Sequence, residues 1–482
     1  MNPTATGIFG SGAAVADGPL PTHGTLKLPK EPPYRTTGLN FYLGPLMDLR
    51  CGGRRDGSHG DFWTGRGAKA LAAAFEDACR QSRCGQAAIG RLLAAAGDSS
   101  SGVNVNDVRA VAPTLALGRV PSASALHAPL VSTLFAHDGP TAAKRATRGW
   151  ARSQALGICL DIAQQSRGDV EGKPIDIVRR SILTGYLAPQ CRYDVPDGYR
   201  LAFSAMRRVY ERHLLQLALY GLWREVVLAI EHAPSGACTM ARLADILRGS
   251  VITGASSRHS RWLGEDPLDA SVESLLRRCA RDRRRRRKGR PWSSGEEDLA
   301  LDISGAGNRA NPSVAAPAFA LLLRVAESWM HRTRSGSRRV AHEQWLEEGG
   351  RDRLSLNVVC NDLASRTSMT AAALIDWVLG PYVVGQSLRA TVAKGPQTES
   401  GEYIYFIVPD SGGYRINQPP RLANYLRTDS ARLRIALRML EQLDLVSSTP
   451  RFKITVDGRR LLGRLRTVHN ADEGRHSDSR FS

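Results

Sequence analysis

The chain has 482 residues, 42% of them hydrophobic, with a formal charge of +20 and a pI near 10.1. That length implies two to four domains with true apolar cores, and the charge favours polyanionic partners, nucleic acid ahead of an anionic membrane surface. No run of about 18 uninterrupted apolar residues occurs, so no membrane span or membrane partner is expected. No basic-then-apolar leader opens the sequence either. The eight cysteines (Cys51, Cys79, Cys84, Cys159, Cys191, Cys238, Cys279, Cys360) form no CxxC pair. Their spacing is neither a zinc site nor a small disulfide scaffold, and implies reduced thiols in a cytoplasmic protein.

Residues 1–35 are rich in Gly, Pro, Thr and Ala without periodicity and read as a flexible lead-in. Gly7–Gly18 holds a GxG but none of the rest of a dinucleotide fingerprint. Met47–Cys51 and Phe62–Thr64 bracket the turn sequence CGGRRDGSHG as a strand pair, and Gly67–Cys79 is an Ala-rich helix. Further helices are expected over 81–96, 104–118 with a cap at Asn106, 122–135 and 141–165. Pro174 sits at a first-turn position before Ile175–Leu187. Tyr199–His232 contains no Pro and one Gly, and its apolar residues recur at helical spacing. It reads as one helix of about 50 Å, or two broken near Gly221. Its second half is apolar nearly all round, which places it at the centre of the core.

Thr239–Arg248 has the size and pattern of a helix in a helix-turn-helix, with Thr239 as cap. Ser250–Gly264 is polar and breaks the periodicity. A helix from Leu268 to about Arg287 ends in ARDRRRRRKGR, and Arg281–Arg290 alone carries +7 of the net charge. Residues 281–312 read as a basic, flexible linker. Glu296, Glu297 and Asp298 behind the Arg run are explained by local charge pairing. Residues 313–400 are helical again, over Pro317–His331, Ser355–Ser365 and Thr370–Leu379, with Tyr382–Ser387 ambiguous between helix and strand. Glu402–Val408 is the clearest strand, and Tyr414–Ile416 pairs back on it.

The sequence holds no GxxxxGK[ST], HExxH or GxSxG, and its eleven histidines do not pair at ligand spacing. His342–Glu343 lacks a second His, and the strand bearing Glu402 and followed by Asp410 has no D/E-x-K. No catalytic residue, metal or cofactor is assigned, and the reading is of a non-enzymatic binding protein. A nuclease with an unrecognised site ranks third.

Residues 417–468 carry the functional signal. Thr428 or Ser430 caps Ala431–Leu443, where Leu433, Leu437, Leu440 and also Ile435 are candidates to face inward. Leu445–Ser447, a turn, and Phe452–Thr455 make a small strand pair, and Asp457–Leu465 closes the unit. This L-x-L-V, turn, F-x-I-T-x-D-G-R-x-L-L pattern resembles the wing and closing helix of bacterial winged-helix domains. The resemblance implies that Arg432, Arg434 and Arg438 line a helix in a DNA major groove, with Arg451 and Lys453 on backbone phosphate. Winged helices also serve as protein-docking ends, so a docking subunit is the alternative. Flexible Arg283, Arg284, Arg285, Arg286, Arg287 and Lys288 would bind phosphate without sequence preference.

Thr64–Gly67 and Thr455–Gly458 share T-x-x-G before an apolar helix, so a second wing-like unit is expected near the N-terminus. The expected fold is mainly α. It comprises a helical body over 36–280 that includes this unit, a linker, a helical region over 313–400, a hairpin with a winged helix over 401–468, and a disordered tail over 469–482. A helical body with wing-like ends resembles uncharacterised proteins of bacterial anti-phage defence loci, and in architecture kleisin-like subunits of chromosome-maintenance complexes.

Overall fold

Apolar spacing of 3.6 residues runs through most of the chain, and the computed structural model of the protein is mainly α, with five small antiparallel sheets among the described residues. The structure describes residues 148–256, 259–289, 295–305, 313–335, 355–393, 405–417, 431–449 and 451–478. Ahead of these it describes 25–26, 52–54, 62–64, 103–104, 106–107, 120, 124, 126–135 and parts of 69–91.

In chain order the helices are α1 (His127–Phe135), α2 (Arg148–Gln165), α3 (Pro174–Thr184), α4 (Arg200–Glu231), α5 (Met240–Ala255), α6 (Val272–Gly289) and α7 (Glu296–Gly305). They continue with α8 (Ala315–Ser335), α9 (Leu356–Ala364), α10 (Ala371–Val378), a π-turn (Leu379–Val384), α11 (Gly385–Ala393), α12 (Ala431–Gln442) and α13 (Val456–Asp478). The strands are β1 (Thr25–Leu26), β2 (Gly52–Arg54), β3 (Phe62–Thr64), β4 (Val103–Asn104), β5 (Tyr186–Ala188) and β6 (Cys191–Arg192). Five more follow: β7 (Ala237–Cys238), β8 (Ile407–Asp410), β9 (Gly413–Ile416), β10 (Val446–Ser447) and β11 (Lys453–Ile454). The N-terminal hairpin pairs β2 with β3, and Met47–Cys51, expected as its first strand, lies outside the described residues. The lead-in glycines, Gly67 and Glu402 lie outside the described residues.

Two units divide the chain: 1–169 with 197–199 and 435–482, and 170–196 with 200–434. In the larger, second unit, α4 is a single unbroken helix. Gly221 does not break it. A Cβ there would stand 2.7 Å from the Cβ of Ala318 on α8, so glycine lets the two helices approach closely. Gly254 of α5 meets Ala316 in the same way, also at 2.7 Å. The start of α8 is therefore wedged between two glycines, and Ala315, Ala316, Ala318, Phe319, Ala320, Leu321 and Leu323 are fully buried. The α4–α8 pair is the centre of this unit, with α5, α6, α7 and α9 packed on α8.

Thr239 caps α5, its hydroxyl accepting from Arg242 N at 3.3 Å. The helix then runs seven residues past Arg248, because Val251 and Ala255 continue the buried stripe of Leu243 and Leu247. Ser355 and Thr370 cap α9 and α10 likewise. Residues 379–393 are helical throughout, which settles the ambiguous Tyr382–Ser387. The hairpin of β8 and β9 forms a few residues later than Glu402–Val408, and gains a third strand, β7, in the order β7-β9-β8.

Much of the stretch expected as a linker is helical, while 290–294 and 306–312 lie outside the described residues. α6 carries the Arg run as helix up to Gly289, and α7 buries Leu299, Ala300 and Ile303. α13 likewise continues helical to Asp478, into the stretch expected as tail.

Candidate nucleic-acid interface

The division between the units falls within α12, after Arg434. On this helix Leu433, Leu437 and Leu440 are buried, at i, i+4 and i+7. Those three positions define the inward stripe, and Ile435 lies off it. It is 57% exposed, a correction to its candidacy for the core. Arg434 and Arg438, one turn apart, are exposed beside it. Arg432 belongs to the same helix, and its side chain lies outside the described residues.

The helix ends in a tight reversal. Asp444 takes φ +52°, its N–H donates to Glu441 O, and Leu445 N–H donates to Leu440 O at 2.9 Å. This turns the chain into the antiparallel pair β10–β11, with Val446 opposite Ile454 and Ser447 opposite Lys453. Thr455 then closes the loop. Its hydroxyl donates to Asp444 O at 2.6 Å and accepts from Gly458 N at 3.1 Å, capping α13. At Gly458 an added Cβ would lie 2.1 Å from Leu445 O. The T-x-x-G pattern thus has a local cause, a capping hydroxyl followed by a residue with no room for a side chain.

The hairpin is anchored on the end of α2. Phe452 is buried, and its carbonyl accepts from the Ser166 hydroxyl at 2.8 Å. Arg451 donates to Gly168 O at 3.1 Å and lies 3.7 Å from the Asp169 carboxylate. Lys453 is exposed. α13 buries Leu461, Leu462 and Leu465 and directs Arg459, Arg460 and Arg464 outward, Arg460 being paired with Asp457 at 2.8 Å. Arg466 points inward to Asp161 of α2, a fully buried carboxylate that also accepts from Gln165 at 2.9 Å. Arg459 and Arg464 belong with the basic surface and were not singled out from the sequence. The signal was there, since the buried positions Leu461, Leu462 and Leu465 leave 459 and 464 on the two flanks of the stripe.

The Arg run of α6 separates by helical phase. Cys279 is fully buried, and burial pushes its thiol up to about 12. One turn on, Arg283 is inside too. It pairs with Glu296 of α7 at 3.0 Å and with Glu327 of α8, and donates to Arg324 O at 3.1 Å. Burial opposes its charge, yet Glu296 and Glu327 together carry its pKa above the ordinary guanidinium value. Asp282 pairs with the fully buried Arg324, which lies over the Trp262 ring at 5.3 Å. Arg281, Arg284 and Arg285 are exposed. Arg286, Arg287 and Lys288 continue the helix, and their side chains lie outside the described residues. Of the acidic residues assigned to local pairing, Glu296 pairs with Arg283 of the run, whereas Glu297 pairs at 3.0 Å with the distant Arg179 of α3.

Among the described residues, no three His, Cys, Asp or Glu side chains converge as metal ligands would. Asp410 is paired with Arg415 at 3.3 Å. Compared with protein-family profiles, curated proteins and solved structures, the chain shows no significant match.

Proposed function

We propose that the C-terminal helix–hairpin–helix, residues 431–478, is a winged-helix reader of duplex DNA. In this reading α12 enters the major groove, and the β10–β11 hairpin and the start of α13 lie against flanking phosphates. The observation that carries it is the division of α12 into a buried leucine stripe and an exposed Arg434–Ile435–Arg438 face. A groove-reading helix needs donors for guanine O6 and N7 and an apolar group for the thymine methyl, and this face supplies both. Lys453, Arg459 and Arg464 are the phosphate contacts. Arg451 serves the hairpin, holding it to the turn after α2.

The test is fluorescence anisotropy of a labelled duplex across a salt series. Arg438→Ala should cost about 1–3 kcal/mol and relax sequence preference at one base pair, while Lys453→Ala should lower the log–log salt slope by about 1 on every sequence. Unchanged binding in both variants would remove the reading.

One observation favours protein docking as the second reading. Val456 and Val468 of α13 are 63% and 43% exposed. A docking end would lose its partner on Val456→Ser with Val468→Ser and tolerate Arg438→Ala, the reverse of the pattern above.

A further inference from the structure

The outward face of α6 is a second cationic surface, on a different unit from the β10–β11 hairpin. We infer that this face, built by Arg281, Arg284 and Arg285, is a rigid, sequence-independent site for the phosphate backbone of a nucleic acid.

The argument starts from helical phase. Val272, Leu275, Leu276 and Cys279 are buried, and Arg283 follows them inward. Arg277, Arg281 and Arg284 stand on the opposite side at i, i+4 and i+7, with Arg285 beside them. Arg277 is already matched by Glu273 at 2.6 Å. Arg281, Arg284 and Arg285 form no ion pair among the described residues. Arginines one turn apart repel one another and weaken a helix. The helix tolerates them because it is clamped where the run begins, by Asp282 on Arg324 and by Arg283 between Glu296 and Glu327. Its negative end also lies here, which suits cations.

A clamped helix cannot rearrange its arginines around base edges as a flexible tail can. It presents charges about one turn apart to a partner that carries a phosphate every 3.4 Å of axis on each strand. The chemistry is ionic and the spacing regular, so the partner is a polynucleotide read by its backbone alone. Within the Arg run the roles therefore differ: Arg283 builds the site and does not touch the ligand.

The experiment uses the full chain and two short duplexes of unrelated sequence, with binding followed by anisotropy between about 50 and 200 mM salt. The variants are R281A/R284A/R285A, the charge-keeping R281K/R284K/R285K, and, separately, R438A/K453A. Three lost phosphate contacts should lower the log–log salt slope by about 2.7, so the tightening between those two salts should shrink about 40-fold, equally on both sequences. The lysine variant should keep the wild-type slope, and the melting temperature of all three should match the wild type. An unchanged slope in the alanine variant overturns the proposal, whatever R438A/K453A shows. So does loss of binding to phosphatidylserine vesicles with duplex binding intact, which would make the surface a membrane site. If R438A/K453A alone changes nothing, the C-terminal reading fails and this one stands.

Discussion

Replacing Arg283 with alanine tests whether the Arg run is architecture or surface. The wild-type side chain is 13% exposed, and its two carboxylate partners, Glu296 and Glu327, are each 11% exposed. Alanine would remove the guanidinium that both buried carboxylates share and would also strip a hydrogen bond from Arg324 O. Breaking a buried pair costs about 3–5 kcal/mol. The residual exposure screens part of that, so the lower end, about 3 kcal/mol, is expected. For a unit of about 260 residues this lowers the melting temperature by about 6–12 °C. Arg284→Ala, one residue on, removes only a solvated like charge and should fall within about 0.5 kcal/mol of wild type.

The assay is calorimetric melting at low ionic strength. Because the chain has two units, the transition to follow is the one moved by a second core change in the same unit, Gly221→Ala. The reasoning fails if Arg283→Ala and Arg284→Ala melt alike. That outcome would mean that position 283 is solvated in solution, and the whole stretch would behave as the flexible linker its composition implies.

Three other outcomes follow from the packing. Gly221→Ala and Gly254→Ala each drive a Cβ to 2.7 Å from an alanine Cβ on α8, so each should cost about 1–3 kcal/mol, and because α8 is wedged between the two the double variant should depart from additivity; a neutral Gly221→Ala would show that α4 and α8 are not in close approach. Arg466→Ala removes a guanidinium from the buried Asp161 and should destabilise the first unit by up to about 3 kcal/mol, read as release of α13 by hydrogen exchange at residues 461–467, and protection there equal to wild type would refute the anchor. Burial pushes the Cys159 thiol up to about 12 from an unfolded value of 9.0, so the folded state keeps a proton that the unfolded state loses. Stability is unaffected below pH 9 and falls as pH rises from 9 towards 12, by up to about 4 kcal/mol. Cys159→Ala should flatten denaturant midpoints across that window, and an identical slope would mean the thiol is reachable by solvent.

Helix positions were legible wherever a stripe was made of apolar residues. α4, α9, α10 and the leucines of α12 follow from spacing alone, and the cap at Thr239 follows from a hydroxyl placed before an apolar run. What spacing could not give was closeness. Gly221 read as a weak point in α4 because glycine both breaks helices and lets them touch, and only the facing Ala318 decides between the two. Pairing across distance was equally hidden. β7 is two residues long, too short to announce itself, and it became a strand because β9 supplied its partner.

The Arg run shows where the limit lies. A stretch of identical charged residues carries no contrast from which to read a face, so it looks solvated on all sides. The phase was nonetheless fixed upstream, since Val272, Leu275, Leu276 and Cys279 set an inward direction that a 3.6-residue period extends to 283. Two partners were written in the sequence as well, in the form of Glu296 and Glu327 on the next two helices. A buried arginine can be expected where such an extrapolated stripe meets a cation and spare carboxylates follow. By the same rule the charges left outside, Arg281, Arg284 and Arg285, are the ones whose presence folding does not account for, and they are where a ligand should be sought.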